Sequence, residues 1–259
     1  YTICEILNPT NCATATATVT VVAGPITADD DSSAPINGAD GATGVVDALD
    51  GDTLDNAPAQ LADVTITVTA PATPIGSAPV PVLNPATGLV DVPAGTPAGT
   101  YTIDYQICED LNPTNCATAT ITVPVVAAPI VATSDSVADI NGADGANNVL
   151  NALDGDTLNG VPATTSTVSI SLAPGATVPA GLTFDPASGN TSVAPGTPAG
   201  TYSFDYEICE LLNPTNCAIA TETVTVIAAP IAAVNETVTG INGASGANDV
   251  LNALDGDTL

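Results

Sequence analysis

The chain has 259 residues and a formal net charge of -28 at neutral pH, with no Lys, Arg or His. Soluble proteins draw about a quarter of their residues from the charged types, in both signs; here the fraction is 11% and every member is a carboxylate. Nucleic-acid binding and attachment to anionic membranes are therefore excluded on electrostatics, as are base catalysis by imidazole or amine and salt bridges between side chains.

Acidity does not imply disorder in this composition. Apolar residues make up 45% of the chain and mean hydropathy is +0.35, with Val, Ile, Leu and Ala interleaved with Thr, a pattern suited to half-buried strands. No run of 18 apolar residues exists, so no membrane-spanning helix is expected, and no signal peptide is recognised. Membrane insertion is not expected.

The first element is a hairpin that recurs. Tyr1-Thr-Ile-Cys-Glu-Ile-Leu-Asn-Pro-Thr-Asn-Cys12 returns as Tyr105 to Cys116 and again as Tyr206 to Cys217, at spacings of 104 and 101 residues. A junction follows each copy: Val21-Val-Ala-Gly-Pro-Ile26, Val125-Val-Ala-Ala-Pro-Ile130 and Val226-Ile-Ala-Ala-Pro-Ile231. Internal similarity at a fixed period marks an array of repeated units. Placing boundaries at the Pro-Ile pairs gives the end of one repeat (1–24), two complete repeats (25–128 and 129–229) and the start of a fourth (230–259). The chain begins without Met and both ends fall inside repeats, so it is expected to be part of a longer array.

Within the first complete repeat, strands are expected at 44–49, 64–69, 80–83 and 89–92 before the recurring hairpin. Its first arm puts Tyr101, Ile103, Tyr105 and Ile107 on one face and Thr102, Asp104, Gln106 and Cys108 on the other, a period of two. The return arm alternates Ala117, Ala119, Ile121, Val123 and Val125 with Cys116, Thr118, Thr120 and Thr122. Six or seven short strands per repeat with Gly, Pro and Asn turns predict an all-β fold of tandem immunoglobulin-like sandwiches. Tyr101 and Tyr105 suit either a tyrosine corner or plain core filling. Glu222 occupies the inward register held by Ala17 and Ile121, which places it at a rim within reach of water.

The six cysteines form three C-x7-C pairs, Cys4–Cys12, Cys108–Cys116 and Cys209–Cys217. They flank Asn-Pro loop residues on the polar face, so each pair is expected to be a cross-strand disulfide between a domain's last two strands. The spacing is not that of a zinc site, and no basic group is available to activate a thiol. Disulfides place the chain in an oxidising compartment outside the cytoplasm.

Asp50-Gly-Asp52, Asp154-Gly-Asp156 and Asp255-Gly-Asp257 recur in one context, preceded by Asp47, Asn151 and Asn252. Turn capping explains them; so would Ca²⁺, which takes six to eight oxygen ligands. No cofactor is required on either reading, and Ca²⁺ is the one candidate ion. The junction acids Asp29, Asp30, Asp31, Asp135, Asp139 and Glu236 read as solvated surface.

The run Pro-Ala-Gly-Thr-Pro-Ala-Gly-Thr-Tyr-Thr-Ile-Asp-Tyr-Gln-Ile-Cys-Glu, continuing through Leu-Asn-Pro-Thr-Asn-Cys-Ala-Thr-Ala-Thr, resembles the cadherin-like or Ig-like repeats of giant Bacteroidota surface adhesins. It is especially similar to the very long adhesins of gliding bacteria, exported by the type IX system. The resemblance implies a structural shaft whose partners are neighbouring repeats of the same chain and other shafts, with a calcium-rigidified extender of a biofilm or substrate-binding adhesin as the alternative. It also implies O-glycosylation at Asp-Ser/Thr-apolar triplets, here Thr53, Thr157, Thr258 and Ser136. Without a base partner for any hydroxyl, the chain is not expected to be an enzyme.

Overall fold

The computed structural model describes residues 1–258; Leu259, which closes the last Asp-Thr-apolar triplet, lies outside the described residues. Among them there is no helix, and every regular element is a strand. No helix among the described residues is long and apolar enough to cross a membrane. The chain divides into two compact units, Tyr1–Val126 and the part from Ala127 onward.

In the first unit the central sheet contains Val64–Ala70, Gly99–Glu109 and Cys116–Val126 as antiparallel neighbours. The short strands Asp31–Ser32 and Ile36–Asn37 run parallel to Cys116–Val126 along its free side. Facing this sheet is a second one of Val82–Asn84, Leu89–Val92 and Ala42–Asp47. A third, small sheet joins Ile26–Thr27, Thr53–Leu54 and Ala57–Pro58. The expected strands are present with ends shifted by a few residues. The difference from the expected strand count lies at the beginning of the repeat, where the entering chain is broken into two-residue pieces.

The core follows the alternation read from the sequence. Tyr101, Ile103, Tyr105 and Ile107 are buried, as are Ile121, Val123 and Val125 on the facing arm, with Leu83, Val90 and Val92 from the opposite sheet. Tyr101 donates to the Pro97 carbonyl at 2.9 Å and Tyr202 to the Pro198 carbonyl at 2.8 Å, four residues upstream in each case, which is tyrosine-corner geometry. Gly38 and Gly142 show why the turn after the entering strand carries no side chain. A Cβ at either would lie 1.9 or 2.0 Å from the carbonyl oxygen of Thr96 or Thr197.

The second unit repeats the plan. Asp135–Asn141 runs parallel to Cys217–Ile227, which pairs with Gly200–Glu210 and then Val168–Leu172. Ala146–Asn151, Asn190–Val193 and Leu182–Asp185 form the opposing sheet. Its core differs in detail. Where the first unit has Leu83 and Ile103, the second has Phe184 and Phe204, with ring centroids 5.3 Å apart. The three-residue difference in repeat length falls in the loop that follows Val64–Ala70 and Val168–Leu172.

Candidate functional site

The disulfide loop lies at the end of the sandwich where the chain enters. Cys108 stands directly opposite Cys116, and Cys209 opposite Cys217, with Cα atoms 4.1 Å apart. That separation belongs to the closer, non-hydrogen-bonded positions of an antiparallel ladder. The Cys4–Cys12 pair closes an exposed hairpin in the same way. Glu109, the next inward position after Ile107, is 9% exposed and Glu210 is 2% exposed. The Glu109 carboxylate accepts from the side-chain amides of Asn112 at 2.7 Å and Asn115 at 2.8 Å. Asn115 also donates to the Gly24 carbonyl at 2.8 Å. In the second unit Asn216 donates to Glu210 at 2.7 Å and to the Ala128 carbonyl at 2.8 Å. The loop is thus an amide-and-carboxylate clamp on the backbone just before the Pro-Ile pair. Glu109 and Glu210 were not singled out from the sequence, although the parity of Tyr105, Ile107 and Glu109 already placed them inward.

A second polar cluster surrounds the deeper tyrosine. The Tyr105 hydroxyl lies 3.3 Å from the Asp29 carbonyl, Asp31 Oδ2 and Asp52 Oδ2, and Asp52 Oδ1 also accepts the Asp29 N–H at 2.8 Å. Tyr206 donates to the Thr133 carbonyl at 2.9 Å and to Asp156 at 3.2 Å, and Asp156 accepts the Thr133 N–H at 2.6 Å. Asp52 and Asp156 are each 1% exposed, and burial raises both carboxyl pKa values. Burial, with the nearby Asp52, Asp50 and Asp47 charges, also pushes Asp31 up to about 6 against the Tyr105 hydrogen bond. Burial and the Asp156 and Asp154 charges push Asp135 up to about 6. Both phenols are displaced upward by burial and by these same carboxylates. A phenol held protonated in this way is the opposite of an activated nucleophile.

These positions correct the reading of Asp31 and Asp135 as solvated surface, since both are half-buried and drawn toward the tyrosine, whereas Asp29, Asp30 and Asp139 are exposed as that reading expects. The rim placement of Glu222 is also overturned, since Glu222 is 0% exposed. Burial, with the Asp135 and Asp154 charges, pushes its carboxyl up to about 7, and Thr191 tempers the rise without closing a hydrogen bond of good geometry.

Asp47, Asp50 and Asp52 line one cavity of about 510 Å³ together with Leu49, Gln60 and Leu61. Their roles diverge. Asp47 accepts the Leu49 N–H, Asp50 is exposed, and Asp52 staples the turn to Asp29. In the second unit Asn151 bonds Leu153 N–H, the Ser188 carbonyl and Asn190, Asp154 is exposed, and Asp156 takes the stapling role. In the last copy Asn252 bonds Leu254 N–H and Asp255, and Asp257 accepts the Val234 N–H. Among the described residues, the only acidic or cysteine trio with ligating atoms within 4.8 Å of one another is Glu207, Cys209 and Cys217, whose sulfurs are bonded to each other. Of the glycan candidates, Ser136 and Thr258 are exposed, while Thr53 and Thr157 are half-buried and Thr53 shares a 2.7 Å hydrogen bond with Thr27.

No family model matches the chain, and no curated protein matches it. Solved structures similar to it include Drosophila N-cadherin EC1-4, with 13% identity and a TM-score of 0.30 over 80% of this chain and 50% of that one. Mouse cadherin-23 EC22-24 has 12% identity and a TM-score of 0.31, covering 80% and 63%. The protocadherin gamma B4 extracellular domain has 9% identity and a TM-score of 0.34, covering 79% and 34%. The chain spans about half the length of protocadherin gamma B2 domains 3-6 and similar structures.

Proposed function

We propose that the chain is a load-bearing shaft segment of a long extracellular adhesin, composed of the repeats 25–128 and 129–229 with parts of two more at 1–24 and 230–259. The observation that carries this reading is the parallel pairing of each repeat's entering strand with its leaving strand. Asp31 and Ile36 pair with Ile121 and Val125, and Asp135 through Asn141 pair with Glu222 through Ile227. Tension applied to the two ends of such a repeat pulls these strands past each other, so their hydrogen bonds are loaded together and not opened one at a time. The disulfide removes the loop that precedes the leaving strand from the extensible length. An all-carboxylate surface adds charge repulsion that keeps shafts dispersed.

On this reading the partners are the neighbouring repeats, and substrate attachment belongs to another part of the adhesin. Surface gliding, type IX export and glycans on Ser136, Thr258, Thr53 or Thr157 are finer parts of the same proposal, supported by the repeat resemblance. Pulling the chain end to end tests it. Two separate unfolding events are expected, each releasing about 30 nm, the extended length of a hundred-residue repeat less its folded span. Smooth extension without discrete events would overturn the shaft reading.

A further inference from the structure

A chain without a single cationic side chain must neutralise any buried carboxylate by hydrogen-bond donors, by a proton or by an ion from outside. Asp52, Asp156, Glu109 and Glu210 all have donors. Glu222 does not. It is 0% exposed, and neither carboxylate oxygen has a hydrogen-bond partner. Two further buried oxygens in the same repeat, Asp135 Oδ2 and Thr191 Oγ1, have no partner of good hydrogen-bond geometry, although the Tyr206 hydroxyl is near enough to Asp135, and Thr191 to Glu222, to hold those carboxyl pKa values down in part.

These groups come from three strands and converge. Asp135 is the register partner of Glu222 across the parallel strand pair. Thr191 is 0% exposed on the inner face of the opposing sheet. Tyr206 flanks them and already donates to Asp156. The preceding repeat supplies an internal control. At the same register it has Ile121 for Glu222 and Val90 for Thr191, both 0% exposed, and its Asp31 Oδ2 accepts from Tyr105. Two apolar core positions have thus become oxygen donors together, in one repeat only.

We propose that Asp135, Glu222 and Thr191 form a binding site for a hard divalent cation of the Ca²⁺ type inside the repeat 129–229. Two carboxylates and a hydroxyl supply oxygen ligands of the kind Ca²⁺ takes, and its flexible six-to-eight coordination is completed by backbone carbonyls or water. The ion provides the positive charge that the sequence lacks. Asp135, half-buried, connects the site with solvent. This inference is independent of the shaft reading, because it concerns the interior of one repeat.

The test is calorimetric titration of the full chain with CaCl₂ after stripping with EDTA, paired with thermal melting. One ion per chain should bind, and the transition of the repeat 129–229 should rise with calcium. Glu222→Ile, which restores the residue of the preceding repeat, should abolish both effects, and Glu222→Gln should weaken binding at least tenfold. Asp50→Asn in the other repeat should change neither. No binding up to about 10 mM, above the affinity range of extracellular calcium modules, would overturn the proposal. So would binding unaffected by Glu222→Ile, or a melt insensitive to EDTA that responds to pH alone, which would mean that a proton neutralises Glu222.

Discussion

Asp135 and Glu222 face each other as register partners of a parallel strand pair, where the preceding repeat pairs Asp31 with Ile121. One relationship therefore carries both the mechanical pairing of each repeat and the chemical difference between the two. It also sets the first expectation. In EDTA, Glu222→Ile should stabilise the repeat 129–229 by about 1–3 kcal/mol, the cost of a buried polar group left without a partner. Denaturant unfolding followed by Tyr fluorescence measures this, and a loss of stability would show that the carboxylate is satisfied in solution.

Acidification should stabilise both repeats. Asp31, Asp135 and Glu222 have folded-state pKa values raised to about 6, 6 and 7, so the folded chain binds more protons than the unfolded one. Stability is then full below the ordinary carboxyl values and is lost as pH rises through about 6 to 7. Melting in EDTA should occur at higher temperature near about pH 5 than near about pH 7.5. Asp31→Asn should flatten this slope for the first repeat alone; an unchanged slope would place the response in overall charge repulsion.

Tyr105→Phe should destabilise the first repeat by about 1–3 kcal/mol, because the buried Asp52 loses one of its two donors. The same change removes the hydrogen bond that holds the Asp31 pKa down, so the repeat should become more dependent on acid. No loss would argue that the ring fills space and nothing more, and an equal loss at both pH values would show that the hydroxyl acts through Asp52 and not through Asp31.

Asn115→Ala should cost about 1–2 kcal/mol, since it strips Glu109 and the Gly24 carbonyl of a donor together. Amide hydrogen exchange should accelerate in the 24–30 segment while Val64–Ala70 stays protected. Unchanged exchange at the entry would show that the loop does not clamp it.

Much of this fold was legible in the sequence because its dominant signals are local. The alternation of Tyr101, Ile103, Tyr105 and Ile107 fixes the inward face, and the threefold Cys-Glu…Asn-Cys loop fixes the hairpin and its bridge. The polar interior was not legible, for a physical reason. Asp31 acquires its environment from Tyr105, 74 residues on, and Asp52 from the same hydroxyl. Such partners follow from the parallel return of the entering strand, which leaves no local pattern. Glu222 showed its inward register, but the reading that a lone carboxylate seeks a rim failed because Thr191 and Asp135, from two other strands, make a polar interior around it.

The disulfide makes a prediction in length. Reduction frees the eight-residue separation between Cys209 and Cys217, which should add about 2–3 nm to the release of each repeat at the extension of a stretched chain. An unchanged release would mean that the bridge is absent from the stretched molecule.

The central claim is that the parallel entering strand bears the load, and Val137→Pro tests it most directly. Val137 pairs with Val224, and Pro removes a ladder donor from a strand. In single-molecule pulling of the full chain, the unfolding force of the repeat 129–229 should fall while that of 25–128 is unchanged. Unfolding of both repeats at their original forces would contradict the account.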